Sequence, residues 1–364
     1  GTALRGGDLK MFDHMVKLQA LRLAVCHDIA GDLASLAALE DLETLDLQGC
    51  AKITGSLDAL EECLRLTTLN LRACEGLAGD LEPLSSLLTL DVLNLDECKL
   101  VKGSIDALAG LGDLSVLDLS GTLAASPANT LAPLRTLVSL QRLRLELCEH
   151  LSGTLDGLEG CVELRSLRIK CVGIAGSKKS DFEGTLDPLR HCAKLEKLYI
   201  HHCKRLTGTL DALAGLTNLI ELDLEGCQRL AGTLDPLASC FSLMDLNLSY
   251  CQNIAGSIQP LAHLPNLCIC DVNLHMCKSL QGTGPSSVLW THVSSQTSPS
   301  SPTTRASTRR TASRSTSSTE TRSPRARPRG RGSSSAINKS ISLTTTLTTE
   351  EDRICILHNT LLVR

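Results

Sequence analysis

The sequence predicts an α/β solenoid in which each repeat adds one short parallel strand to a sheet on the concave, inner face and one short helical turn to the convex side. A segment of the form L-x-x-L-x-L-x-x-C-x-x-L-x-G-x-L-x-x-L, present at 219–237, recurs from about Leu18 to Gly282, mostly at steps of 24 residues. Within each copy apolar and polar residues alternate, as in Leu222-Asp223-Leu224. This alternation is the period of a strand with one buried face.

Each copy contributes one strand, so the eleven copies predict eleven parallel strands spaced about 4.8 Å apart. One repeat is too small to bury its own leucines, but stacked repeats share a continuous core. The copies begin at Leu18, Leu42, Leu66, Leu90, Leu114, Leu140, Leu164, Leu195, Leu219, Leu243 and, after a slip in register, Ile269.

Cysteines occupy two columns of the repeat. Nine lie at the ninth motif position, where a thiol is a small buried group with a weak donor. Four others exchange with leucine in other repeats, so the property required there is apolar volume. Because sixteen of the seventeen cysteines lie within the repeats, we interpret them as reduced thiols. The ninth-position cysteines are Cys26, Cys50, Cys74, Cys98, Cys148, Cys203, Cys227, Cys251 and Cys277, and the four others are Cys63, Cys161, Cys192 and Cys240.

The convex side of most repeats begins with an acidic residue, which precedes proline in Asp187-Pro188 and Asp235-Pro236. An acidic N-cap followed by proline indicates a single turn of α-helix or 3₁₀-helix, so we interpret this column as capping residues. Calcium binding is the alternative, but one carboxylate per repeat without neighbouring oxygen ligands makes a poor cage. The column contains Asp58, Asp106, Asp156, Asp187, Asp211 and Asp235.

The chain divides into an N-terminal flank at 1–17, a solenoid at 18–283 and a tail at 284–364. The flank has no methionine at position 1, and we expect a fragment or a processed start. The tail is rich in Ser, Thr, Arg and Pro, and we expect it to be disordered, or to be the product of a frameshift or an unspliced intron. No run of 18 apolar residues occurs, so we expect no membrane span.

The solenoid and the tail carry opposite charge. Twelve Lys and Arg against four Asp and Glu give the tail +8, so the whole-chain value of −4 leaves −12 on residues 1–283. We expect nucleic-acid binding only through basic runs of the tail such as 325–331, and a solvated tail is the simpler interpretation.

Two repeats contain insertions after their strands. The fifth gains two residues within TLAASPANTLAPL, and the seventh gains seven within a segment that contains Lys178 and Lys179. Insertions project from one edge of a solenoid and often belong to its binding face, although tolerated surface insertions are the simpler interpretation.

No motif of the chain indicates catalysis. The sequence has no glycine-rich phosphate loop, no HExxH, no GxSxG and no paired carboxylates outside the convex column. In His201-His202-Cys203, successive residues face opposite sides of a strand and make a poor chelating set. We therefore expect neither an enzyme nor a cofactor or metal site.

The inner face changes sign in blocks. Its strands are acidic or neutral in repeats two to five, basic in repeats six to eight and acidic again in repeat nine. We place both tyrosines of the chain on this face, where aromatic residues commonly anchor interfaces. An acidic protein or peptide is the predicted partner, and the alternative is that exposed strand positions are polar by default. The predicted partner-binding residues are Arg142, Arg144, Arg165, Arg168, Lys170, Lys197, Tyr199, His201 and Tyr250.

The 24-residue period and the L-x-G-x-[LI] turn resemble the plant-type leucine-rich repeats, over about 265 of the 364 residues. The resemblance implies a horseshoe-shaped solenoid, and proteins of this subclass are often extracellular receptor domains that bind peptides or proteins. The chain departs from the usual motif by having Cys in place of Asn and by placing Pro one position later.

The cysteine also resembles the cysteine-containing repeats of intracellular adaptor proteins, although their period is longer. The one glycosylation sequon of the solenoid, at 247–249, lies on a predicted strand rather than in a loop. Together with the thiols, this favours a cytoplasmic protein-interaction scaffold. The alternative is the ligand-sensing part of a receptor, or a secreted recognition protein, located outside the cell or at its surface.

Overall fold

A computed structural model of the chain describes residues 6–125, 130–171, 181–268 and 271–282. By its internal contacts the chain separates into two units, Gly1–Ser301 and Pro302–Arg364. The predicted tail, the boundary at residue 283 and the insertion with Lys178 and Lys179 lie outside the described residues, as does Ile269.

The described solenoid contains one parallel sheet of eleven strands, as the repeat predicts. We call the eleven repeats rungs 1 to 11 after these strands, and the exposed side of the sheet the inner face. The strands are β2 (Ala20–Arg22), β4 (Thr44–Asp46), β6 (Thr68–Asn70), β8 (Val92–Asn94), β10 (Val116–Asp118), β12 (Arg142–Glu146), β14 (Ser166–Lys170), β16 (Lys197–His201), β18 (Glu221–Asp223), β20 (Asp245–Asn247) and β22 (Val272–Asn273).

A second set of short parallel strands leads from the inner sheet towards the convex side, in groups of six, three and three. The group of six is β1 (Gly7–Asp8), β3 (Ile29–Asp32), β5 (Lys52–Ser56), β7 (Gly76–Asp80), β9 (Leu100–Ser104) and β11 (Leu123–Ala125). The others are β13 (Gly153–Thr154), β15 (Phe182–Gly184) and β17 (Arg205–Leu206), then β19 (Ala231–Gly232), β21 (Asn253–Ser257) and β23 (Ser279–Gln281).

Each described convex segment is a 3₁₀ turn of three to five residues. The turns are η1 (Leu9–Phe12), η2 (Leu33–Leu36), η3 (Leu57–Leu60), η4 (Glu82–Ser86), η5 (Ile105–Leu108), η6 (Ala132–Thr136), η7 (Asp156–Gly160), η8 (Asp187–His191), η9 (Asp211–Leu213), η10 (Asp235–Ser239) and η11 (Gln259–His263). A glycine precedes most of them because the chain must turn closely past the previous rung. At Gly55, whose φ is +107°, an added Cβ would lie 2.4 Å from the Asp32 carboxylate that caps η2.

The prediction that the convex aspartates are N-caps is wrong. The Ser or Thr two positions earlier accepts the hydrogen bond instead: the Asp106 N–H donates to the Ser104 hydroxyl at 3.0 Å, and the Asp187 N–H donates to the Thr185 hydroxyl at 3.2 Å. The Ser or Thr hydroxyl in turn donates to the aspartate, at 2.7 Å from Ser104 to Asp106. The aspartates lie in the first helical turn, where a carboxylate also suits the partial positive charge of the helix end.

One continuous core runs through the rungs, because the motif leucines stack in columns and are almost completely buried. The leucine-exchanging cysteines Cys63, Cys161, Cys192 and Cys240 are completely buried in the same column as Leu87 and Leu111. Their interpretation as packing residues is therefore consistent with the structure.

Candidate functional site

The inner face has a regular polar column, formed by the residue between the two buried apolar residues of each strand. We call it the middle column. In seven rungs this residue is Asp or Asn, and its side-chain oxygen accepts a hydrogen bond of 3.0–3.3 Å from the backbone N–H two residues later. The seven residues are Asp46, Asn70, Asn94, Asp118, Asp223, Asn247 and Asn273.

This hydrogen bond ends the strand. An N–H held by its own side chain cannot pair with the neighbouring strand, so the strands of these rungs are only two or three residues long. A backbone carbonyl of the preceding rung thereby loses its N–H partner in the sheet. The ninth-position thiol donates to this carbonyl instead, as Cys74 does to Leu47 at 3.0 Å. Six other thiols make the equivalent contact at 2.9–3.2 Å: Cys50, Cys98, Cys148, Cys227, Cys251 and Cys277.

Rungs 6 to 8 depart from this arrangement. Their middle-column residues are Arg144, Arg168 and Tyr199, whose side chains offer no carboxylate or amide oxygen to the backbone. Their strands β12, β14 and β16 are five residues long, and the pairing continues through Lys170 and His201. The sheet is therefore widest where the sequence places its basic block.

The structure brings several predicted site residues together on this widened sheet. The guanidinium carbon of Arg168 lies 4.2 Å from the centre of the Tyr199 ring, a cation–π contact between neighbouring strands. The His201 ring meets Tyr199 edge-on, with ring centres 6.3 Å apart. Lys170 is the register partner of His201. We call these four residues, together with Arg142, the basic platform.

Other residues of the predicted basic block are neutralised by carboxylates of adjacent rungs. Arg144 Nε lies 3.4 Å from Asp118, and Arg165 lies 2.6 Å from Glu196. Lys197 lies 3.1 Å from Glu221. Within the basic platform itself, His201 Nε2 lies 3.1 Å from Asp223. Among the described residues, Arg142, Arg168 and Lys170 have no ion pair.

Three aspartates of the acidic rungs on either side of rungs 6 to 8 have shifted pKa values, because they are partly buried and lie near other charged groups. Burial raises the pKa of Asp96 to about 6, helped by the charge of Asp118 and opposed by Arg72 and Arg144. Burial also raises the pKa of Asp118, which is 3% exposed, against the charge of Arg144. At Asp223 burial acts in the same direction, but the contact with His201 and the backbone N–H of Glu225 outweigh it and lower the pKa. The acidic block is thus partly buried as well as charged.

Tyr250, which the sequence places on the inner face with Tyr199, follows the end of its inner strand instead of lying within it. Strand β20 ends at Asn247, and Tyr250 follows in the turn with a φ of +65°. Its side chain is 40% exposed and meets His275 edge-on at 5.4 Å between ring centres. The residue occupies the edge of the sheet two rungs away from Tyr199, because the hydrogen bond from Ser249 to Asn247 ends the strand before it.

Among the described residues, the interpretation of the repeat cysteines as thiols is wrong for one pair. Cys171 and Cys203 form a disulfide between rungs 7 and 8, with their Cα atoms 5.4 Å apart. Cys171 follows β14 directly, one position ahead of the ninth-position column, so it faces Cys203 diagonally across two neighbouring rungs. The other eight ninth-position cysteines and the four leucine-exchanging ones are thiols.

The described residues contain no group of three or more His, Cys, Asp or Glu side chains arranged to hold a metal ion. Within the same residues, no helix has the length and apolar character needed to cross a bilayer.

Comparison with known proteins supports the fold. No protein-family profile and no curated protein matches the sequence. Among solved structures, an internalin, inlF, from Listeria monocytogenes is 21% identical, with a TM-score of 0.53 over 71% of this chain and 68% of its own. The PEPR1–AtPEP1 complex is 20% identical, with a TM-score of 0.59 over 80% of this chain. The Arabidopsis receptor kinase HAESA, as an LRR ectodomain with an IDA peptide hormone, is 20% identical, with a TM-score of 0.53 over 75% of this chain.

These identities are low, and the likeness concerns the fold alone. The chain spans 40% of the PEPR1 structure and 50% of the HAESA structure. The parallel sheet and these neighbours together identify a leucine-rich-repeat solenoid.

Proposed function

The chain has the leucine-rich-repeat fold, and from that premise we propose that it is a protein-interaction scaffold that binds an acidic protein or peptide on the inner face of rungs 6 to 8. One observation carries the proposal. The Asp/Asn middle column, which serves the backbone in seven rungs, is replaced in three consecutive rungs by Arg144, Arg168 and Tyr199, which do not. Side chains released from a structural task are available for binding.

The electrostatics support an anionic partner. Arg142, Arg168 and Lys170 lie on two adjacent strands without ion pairs among the described residues. A partner carboxylate would therefore break no ion pair at Arg142 or Arg168, whereas Glu146 is the register partner of Lys170. The Tyr199 ring packs against the Arg168 guanidinium through the cation–π contact, which favours one orientation of this side chain. Arg144 has a different role in this proposal, because Asp118 already holds it; it supports the site rather than contacting the partner.

The direction of the partner follows from the sheet. Strands of adjacent rungs are about 4.8 Å apart, and side chains on one face of an extended peptide recur about every 6.8 Å. A peptide that crosses the strands obliquely therefore brings alternate carboxylates to Arg142 and Arg168 in turn. Binding, rather than catalysis, is the proposed activity.

The proposal is tested on the full chain with fluorescein-labelled extended peptides that alternate Ser with Asp, Ser with Asn or Ser with Lys. We expect the Asp peptide to bind best, and its affinity to fall at high salt. The double variant Arg142→Glu with Arg168→Glu should lose about tenfold or more of that affinity, because reversal adds repulsion as well as removing donors.

The matched control is Lys10→Glu with Arg190→Glu, which changes the net charge equally on the convex turns η1 and η8. It should bind the Asp peptide like the parent, and the basic tail is the same in every protein. Equal binding by the inner-face double variant and the parent would refute the site. Preference for the Asn or Lys peptide would refute the acidic partner.

A second candidate function is the ligand-sensing part of a receptor or a secreted recognition protein. Two observations favour it: the disulfide between Cys171 and Cys203, and the likeness of the fold to the HAESA receptor kinase ectodomain solved with a peptide hormone. Our first proposal instead locates the protein in the cytoplasm, because twelve repeat cysteines are thiols. Tracking a tagged full chain in cells separates the two, since secretion into the medium would exclude the cytoplasmic scaffold.

A further inference from the structure

The disulfide between Cys171 and Cys203 closes directly after the last paired residues of rungs 7 and 8. Lys170 and His201 are register partners, and the next N–H, of Cys171, donates to the His201 carbonyl at 3.0 Å. We propose that this disulfide is a site of thiol–disulfide exchange whose state governs how firmly the basic platform is held. Its relevance to binding rests on the function proposed above, whereas the exchange itself does not.

A reduced Cys203 has an acceptor within the repeat pattern. It occupies the ninth-position column, and in the next two rungs Cys227 and Cys251 donate to the carbonyls of Ile200 and Leu224 at 3.1 Å. The equivalent acceptor for Cys203 is the carbonyl of Ile169, which lies within the continued pairing of β14 with β16 and can accept the thiol through its second lone pair. The pattern therefore offers this sulfur two satisfied positions: the disulfide, or a thiol in the column.

Neighbouring thiols are poorly suited to compete for this disulfide. Burial raises the pKa of Cys227 to about 12 and that of Cys192 to about 11, so these thiols carry very little thiolate at neutral pH. Thiolate is the nucleophile that attacks a disulfide. Exchange within the chain is therefore slow. Because Cys171 is 4% exposed and Cys203 is completely buried, an external dithiol or disulfide reaches them when the strand ends of rungs 7 and 8 open.

The exchange balances with a dithiol as the co-reactant. A dithiol thiolate attacks one sulfur of the disulfide and forms a mixed disulfide, and its second thiolate then displaces the remaining protein sulfur. The protein disulfide gains two electrons and two protons to become two thiols, while the dithiol loses both and becomes a cyclic disulfide. A small-molecule disulfide reverses the process.

Reduction should loosen the platform locally. The disulfide constrains the strand ends that hold Lys170 and His201, and loss of this crosslink increases the number of open states available to them. The effect should be confined to rungs 7 and 8, because the rungs beyond them keep the Asp223 and Asn247 hydrogen bonds.

The experiment treats the full chain with dithiothreitol and then measures disulfide content by peptide mapping and amide hydrogen exchange by mass spectrometry. We expect the peptide linked through Cys171 and Cys203 to disappear, and exchange in 165–171 and 197–203 to quicken about tenfold. Exchange in 221–227 should not change. The variant Cys171→Ser should behave like the reduced protein with or without dithiothreitol.

Cys192→Leu is the matched control, since it removes a packing thiol of rung 7 and introduces the leucine found in other rungs; it should respond like the parent. Both segments exchanging equally before and after reduction would overturn the proposal, as would alkylation of Cys171 and Cys203 in denatured protein that was never reduced. Equal binding of the Asp peptide in both redox states would overturn the link to the platform while leaving the binding proposal intact. Loss of charge selectivity in the peptide experiment would overturn that proposal while leaving the exchange result intact.

Discussion

In rungs 2 to 5 the middle residue of each inner strand accepts a hydrogen bond from the backbone. In rungs 6 to 8 the middle residue makes no such bond, and the strands pair over five residues. Asn94, for example, accepts from the N–H of Asp96 at 3.0 Å, and its strand ends there. Arg168 makes no such contact, and its strand continues to Lys170. The same repeat thus satisfies its backbone in two ways, and only the second leaves the middle side chain without a backbone hydrogen bond.

The largest expected effect concerns what the two regions share, which is the leucine core. Leu93→Asp in rung 4 and Leu198→Asp in rung 8 each place a charge at a completely buried position. Each should cost roughly 4 kcal/mol or more in unfolding free energy, measured by urea denaturation. A clearly smaller loss for Leu198→Asp would mean that rungs 6 to 8 are packed differently inside as well as on the inner face.

The next effect should differ between the regions. Asn94→Ala leaves the part-buried N–H of Asp96 without its acceptor and should cost about 1–2 kcal/mol. Arg168→Ala removes no acceptor from the backbone and should change the unfolding free energy by less than about 0.5 kcal/mol. Equal losses of unfolding free energy in the two variants would show that the middle-column side chain of Asn94 contributes no more to stability than that of Arg168.

A smaller, pH-dependent effect should appear at Asp96. Its pKa is raised to about 6 in the fold from an ordinary value of 3.8, so the folded state favours the protonated carboxyl. The resulting stabilisation is fully present below pH 3.8 and is lost as the pH rises through 6. Asp96→Asn should therefore raise the melting temperature by about 2 °C or more at pH 7.5 and have no such effect at pH 3.5. An equal gain at both values would contradict a charge-based cause.

The smallest effect on stability is expected when rung 7 is converted to the ordinary arrangement. Arg168→Asn supplies an oxygen that can accept from the N–H of Lys170, as the middle-column Asn residues of other rungs do. The melting temperature should hardly change, because one hydrogen bond replaces another. Exchange of the Lys170 amide should change relative to that of Leu167, and an unchanged pattern would mean that the middle residue does not determine strand length.

Much of the inner face could be predicted from the sequence because its alternation is strict. Leu222-Asp223-Leu224 establishes which residues are buried, and the basic character of Arg142, Arg144 and Arg168 is visible in the letters alone. The structural role of the Asp/Asn column could also have been found there, since Asp or Asn recurs in seven of eleven middle positions and is absent only from rungs 1 and 6 to 8. The recurrence of Asp or Asn is the sequence signal that indicates this structural role.

Other features could not be predicted because they depend on distances between rungs. Arg144 and Asp118 are 26 residues apart in the chain, and their ion pair requires the register of β10 against β12. The 31-residue step between rungs 7 and 8 similarly conceals the approach of Cys171 to Cys203. Tyr250 lies outside the strand because the Asn247 side chain accepts a hydrogen bond from the Ser249 N–H, which ends the strand before it.

The sequence by itself determined the solenoid, the eleven inner strands and the identity of the buried columns, because a repeat that cannot bury its leucines alone has to stack on its copies. Only the tertiary structure decided which charges remain available on the inner face. Ion pairs between rungs depend on side chains meeting across a fixed strand register, so Arg144 and Lys197 are paired with carboxylates, while Arg142, Arg168 and Lys170 have no ion pair within the part of the chain that the structure describes.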